Sequence, residues 1–138
     1  MKKQYLITRE QLDRVVDNYL SSKMMGGRVV TKRSEFSKGS LMNAFINPAG
    51  EILFILFEWA ESWDDDDNDG PRNTLRIDEM LVEFFTTHLS VRKHKAIDII
   101  SDWFQDTYDF DFVSVEESEN LRKVFNGWNT PIEKDKSI

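Results

Sequence analysis

Apolar positions along this chain recur with two different periods, and one run has no period at all. Ile52 to Phe57 sets six consecutive apolar side chains between Glu51 and Glu58. The run is short, rich in β-branched and aromatic residues, and bounded by Asn47-Pro48-Ala49-Gly50 before it and an acidic segment after it. Those features predict a central strand over residues 51–60, buried on both faces. Leu41–Ile46 is a second apolar run. Pro48 presets the second turn position and Gly50 supplies a tolerant fourth, so the two runs are expected to form a hairpin.

Helical periodicity opens the chain. Thr8-Arg9-Glu10-Gln11 has the pattern of a capping box, and Leu12, Val15, Val16, Tyr19 and Leu20 follow at helical spacing. They predict a helix from Arg9 to about Met24, stopped by Gly26-Gly27, with Ile7 stapling its start. Lys2 to Ile7 reads as a short strand or a lead-in. Asp78 is placed to cap a helix ending near Leu89 that buries Leu81, Phe84, Phe85 and Leu89. Ser90 is placed to cap another, Val91 to Thr107, burying Ala96, Ile97, Ile100, Trp103 and Phe104. Arg92, Lys93 and Lys95 at its start oppose the helix dipole, which suggests another use for those charges.

Shorter segments complete the pattern. Arg28 to Arg33 reads as a charged strand suited to a sheet edge. Asn73 to Ile77 and Asp109 to Val115 read as strands. Glu116 to Asn126 is a weaker amphipathic helix using Leu121, Val124 and Phe125, with Gly127 as its stop. Thr130 to Ile138 is a polar tail with nothing of its own to fold around. The expected fold class is α+β: a small, mainly antiparallel sheet of about four to five strands, packed by an N-terminal helix and two or three C-terminal helices. A single domain spans 1–129, with an acidic loop at 61–71 and the tail at 130–138. The doubly buried central strand requires the second sheet face to be covered, by a helix or another subunit.

Composition narrows the function classes. The 138 residues include ten Phe, four Trp and three Tyr, ample material for one core. The absence of cysteine excludes disulfides, thiol catalysis and cysteine-based zinc sites. No apolar stretch approaches the roughly 20 residues of a membrane span, and no apolar segment follows the basic start, so neither a membrane partner nor a signal peptide is expected. A cytoplasmic setting is expected, in a cell, or in a host cell or virion if the chain is phage-encoded. The net charge of −7 argues against direct nucleic-acid binding. Its distribution is uneven: residues 1–38 hold nine Lys or Arg against four Asp or Glu, and residues 39–138 hold nine against 21.

The densest candidate chemistry lies in and beside the acidic loop. Glu58, Glu61, Asp64, Asp65, Asp66, Asp67 and Asp69 put seven carboxylates within 12 residues, with Trp63 among them as a candidate interface anchor. Asp65, Asp67, Asp69 and Gly70 match the first half of an EF-hand calcium loop, so calcium is the one cofactor weighed. Arg76 stands where the closing bidentate Glu belongs, and Pro71 and Arg72 follow the glycine, so the pattern is incomplete. Arg28, Lys32, Arg33 and Lys38 form a basic counterpart, suited to a charge-complementary contact with a partner or a neighbouring copy. The ordinary alternative for both is solvated surface that keeps strand edges from aggregating.

His88 and His94 are six residues apart and do not make a metal pair. His88 reads as a border residue, and His94 with Asp98 as a hydrogen-bonding pair. No nucleophile motif, phosphate-binding glycine loop or HExxH is present, so no cofactor and no enzymatic role are expected. The leading expectation is a non-enzymatic protein-interaction or assembly component that binds a protein partner or its own copies. In general composition the chain looks like many small bacteriophage proteins. The alternative is an acidic nucleic-acid mimic that inhibits a DNA- or RNA-binding protein, and a third reading is a calcium-binding module.

Overall fold

A computed structural model describes residues 8–36, 39–60 and 72–138. Helix α1 (Arg9–Met24) leads into strands β1 (Arg28–Arg33), β2 (Leu41–Ile46), β3 (Ile52–Trp59) and β4 (Arg72–Asp78). Helices α2 (Glu79–Leu89) and α3 (Lys93–Tyr108), strand β5 (Ser114–Ser118), helix α4 (Leu121–Gly127) and strand β6 (Ile132–Ser137) follow. The six strands form one sheet in the order β5-β4-β3-β2-β1-β6. All neighbours are antiparallel except β4 and β5, which run parallel because α2 and α3 carry the chain between them. The α+β expectation holds, with one strand more than the sequence suggested.

The capping box is formed as the sequence requires. Gln11 N–H donates to Thr8 Oγ1 at 3.2 Å, and Thr8 N–H donates to Gln11 Oε1 at 2.9 Å. Leu12, Val16, Leu20 and Met24 form the buried line, whereas Val15 is left exposed and Tyr19 sits at the border, stacked on Phe84. The two glycines after α1 have different jobs. Gly26 takes the left-handed region at φ 78°, and a Cβ on Gly27 would lie 2.4 Å from the carbonyl oxygen of Ile46.

The β2–β3 hairpin closes through Asn47. Its amide donates to Glu51 O, and its side-chain oxygen accepts from Glu51 N–H, both at 2.9 Å. The register then shifts: Phe45 faces Phe54 but Ile46 faces Ile52, leaving Leu53 as the extra residue of a bulge. This is how Leu53 and Phe54 both join the core beneath α1, α2 and α3. On the opposite face Val30, Met42, Ala44, Ile46, Ile52, Ile55 and Phe57 pack with Leu121 and Phe125 of α4. The second face is therefore covered within the chain by a helix. Burying each fully enclosed side chain such as Phe54, Ile55 or Leu56 contributes roughly 1.5–3 kcal/mol.

Several expected boundaries move. Ser90 does not cap α3: it adopts the left-handed region at φ 53° and ends α2, while Arg92 is the residue before α3. Val82 replaces Phe84 and Leu89 among the fully buried residues of α2, and Ile99 replaces Ile97 in α3. Asp109 to Val113 has the alternation of a strand but runs as a strap, with Phe110 and Phe112 against Phe104 at 6.4 and 6.3 Å between ring centres. The strand proper begins at Ser114, so Glu116 lies in β5 opposite Arg76 instead of opening a helix. Helix α4 starts only after Asn120, whose side chain accepts from Lys123 N–H at 3.2 Å. Lys93 pairs with Glu117 of β5, a use for one of the cations that opposes the α3 dipole.

The largest departures concern β1 and the polar tail. β1 is not an edge strand, because residues 132–137 of the tail pair with it along its outer side. A ladder depends on backbone amides and carbonyls, so a polar segment can supply it. All six residues of β6 are exposed, and its Glu-Lys-Asp-Lys sequence makes a charged edge that discourages further pairing.

Candidate partner-binding surface

The basic residues singled out in β1 are occupied inside the molecule. Lys32 is buried beneath α4, where its ammonium donates to the carbonyls of Phe125 at 3.2 Å and Trp128 at 3.0 Å. It also lies 4.0 Å from the centre of the Phe125 ring. The side chain thus satisfies carbonyls at the C-terminal end of a seven-residue helix and pins that helix to the sheet. Arg33 grips Glu133 through two hydrogen bonds of 3.0 and 2.7 Å, and Arg28 reaches Asp135 at 3.5 Å. Through its hydrogen bonds and charge, Arg33 holds the Glu133 carboxyl below its usual range. Arg28 and Arg33 thus have carboxylate partners on the chain's own β6, and both side chains stay exposed.

Of the acidic candidates, Glu58 is half-buried near the end of β3, with Oε2 accepting from Asn43 Nδ2 at 2.8 Å. Glu61, Trp63, Asp64, Asp65, Asp66, Asp67 and Asp69, and also Lys38, lie outside the described residues. The calcium reading rests on three of those aspartates. Among the described residues no three His, Asp or Glu side chains converge as a metal site. His88 Nδ1–H donates to Phe84 O at 2.9 Å while the ring stacks on Phe84, as suits a border residue. His94 is exposed, and Asp98 is engaged by Arg9 instead.

Folding also assembles an acidic surface that no local stretch displays. Asp13 and Asp17 on α1 face Asp102 and Asp106 on α3 across a groove of about 650 Å³, floored by Val16, Ile99 and Trp103. Arg9 crosses between the helices: Nε meets Asp13 Oδ1 at 2.9 Å, Nη1 meets Asp98 Oδ2 at 3.4 Å, and Nη2 meets Asp102 Oδ2 at 2.7 Å. Asp17 accepts from Trp103 Nε1–H at 3.0 Å and from the Ser21 hydroxyl at 3.1 Å. Five carboxylates thus stand in or beside the groove, three of them paired with Arg9, and Arg14 is the one further cation among its lining residues. Burial and the neighbouring charges of Asp98 and Asp106 hold the Asp102 carboxyl above its usual range, outweighing Arg9. Each row was visible in the sequence as aspartates four apart, beside a buried stripe. That the two rows oppose one another was not.

Comparison with family models, with curated proteins and with solved structures returned no match to this chain. Among the described residues, no helix is long and apolar enough to cross a membrane.

Proposed function

We propose that the chain is a non-enzymatic protein-interaction or assembly component that presents an acidic surface to a basic protein partner. The observation that carries this reading is the unequal fate of its charges. Arg28, Lys32 and Arg33 are engaged in holding β6 and α4, whereas five aspartates of α1 and α3 have only Arg9 and Arg14 among them, which leaves the groove with a negative excess. Such a surface accelerates encounter with a basic partner and rejects acidic ones. The same distribution disfavours a homo-oligomer built on β1 cations meeting a neighbour's acidic loop. A cytoplasmic setting, including that of a phage-infected cell, suits a cysteine-free component of this kind.

The nucleic-acid-mimic reading is the special case in which the basic partner is itself a DNA- or RNA-binding protein. Carboxylates repeating about every 6 Å along α3, four residues at 1.5 Å each, favour it as a second reading. Capture from the native source, at low and then high salt, tests the proposal. A basic partner retained at low salt and released at high salt is the expected result. A chain that stays monomeric and recovers nothing at either salt concentration would contradict it, and competition by added DNA or RNA would select the mimic form.

A further inference from the structure

A second concavity lies on the sheet face that carries α1 to α3, beyond the edge of the helical layer. Its volume is about 340 Å³, within the range of small-molecule sites. Val29, Leu41 and Phe110 provide apolar walls, with the fully buried Phe45 behind them, while Thr31 and Asn43 form a polar floor. Thr31 and Asn43 are only 5% and 6% exposed, although both stand on strands otherwise given to core residues. The Thr31 hydroxyl donates to Asn43 Oδ1 at 2.8 Å, and Asn43 Nδ2 donates to Glu58 and to Leu56 O at 3.1 Å. The floor is thereby rigid, with its polar atoms fixed before anything binds.

Charge is arranged along this cleft with a direction. Glu58 of β3 stands at one end, and Lys134 and Lys136 of β6 stand at the other. Three strand spacings of about 4.8 Å separate β3 from β6, so the ends are roughly 14 Å apart. Alternate residues of β6 behave differently. Glu133 and Asp135 engage Arg33 and Arg28, whereas Lys134 and Lys136 line the cleft and form no ion pair among the described residues. Tyr108 lines it as well, its hydroxyl without a hydrogen-bond partner among the described residues, and burial pushes its pKa up to about 12, so it remains a neutral donor.

The geometry points to a binding site for a small organic anion with an apolar body, its anionic head toward Lys134 and Lys136 and its body against Val29, Leu41 and Phe110. Glu58 repels a negative head at the far end and so sets the orientation. This site is separate from the α1–α3 groove, and its test does not depend on the partner proposed above.

Amide chemical shifts followed during titration with hexanoate, and with its uncharged counterpart hexanamide, test the assignment. Saturable shifts confined to Val29–Thr31, Leu41–Asn43 and Lys134–Ile138 are expected, with hexanamide at least about tenfold weaker. Lys134→Gln with Lys136→Gln should weaken hexanoate to the level of hexanamide, and the paired Arg substitutions should restore it. Tyr108→Phe, which removes one hydroxyl, should weaken hexanoate severalfold and serves as the test if the double Gln variant loses β6 pairing. Absent or scattered shifts, equal binding of the two probes, or unchanged hexanoate affinity in whichever of these variants folds would overturn the proposal.

Discussion

Strand β1 and helix α1 adjoin in sequence, separated only by Met25-Gly26-Gly27, yet their charges are balanced to different degrees. The cations of β1 are structural: one is buried under α4 and two are tied to β6. The aspartates of α1 remain at the surface, where they meet a matching row from α3. A charged residue in a sequence is therefore not by itself a surface residue. What differs is the balance: Arg28 and Arg33 each meet a carboxylate of β6, whereas five aspartates share Arg9 and Arg14.

The comparison breaks most severely at Lys32. Lys32→Ala removes the donor to two carbonyls and the stem packed beside Phe125, and should cost about 3 kcal/mol, mainly through loss of α4 docking. Lys32→Met, which keeps the stem, should recover part of that loss. Denaturant midpoints of the two variants measure the split, and a change below about 0.5 kcal/mol for Lys32→Ala would show the ammonium to be dispensable. A smaller effect is expected on the acidic side. Trp103→Phe deletes the hydrogen bond to Asp17 while filling most of the same space, for a loss of about 1 kcal/mol.

The smallest effect has the opposite sign. Because the folded Asp102 carboxyl sits above its usual range, the folded state holds that proton more tightly than the unfolded chain does. Its contribution therefore favours folding more as pH falls into the carboxylate range, and opposes it at neutral pH. Asp102→Asn should leave the neutral-pH melting temperature unchanged or slightly raised, and its melting temperature should respond less favourably to acid than the parent's. Melting curves across that range check the sign, and a clear loss at neutral pH would mean that the Arg9 contact outweighs the crowding.

Much of the fold was legible locally. The capping box at Thr8, the turn at Asn47 and the apolar run Ile52–Phe57 each carry their own geometry, so α1 and the β2–β3 hairpin follow directly. The site was not, because its parts are distant in sequence: Arg9 meets Asp98 and Asp102 some 90 residues away. β6 escaped for a related reason. Nothing in Ile-Glu-Lys-Asp-Lys-Ser announces a strand, and only the open ladder of β1, with Arg28 and Arg33 to receive its acids, makes it one. The αL conformations of Ser90 and Asn120 likewise moved helix boundaries that periodicity alone placed too early.

The proposed division between a structural basic strand and a partner-binding acidic groove is tested most directly by paired capture. Asp13→Asn, Asp17→Asn, Asp102→Asn and Asp106→Asn together make one bait, and Arg28→Gln with Arg33→Gln the other, each compared with the parent chain at low salt. The account predicts that the first bait loses the basic partner while the second retains it. Retention by the first and loss by the second would contradict it, returning the interaction to the basic strand.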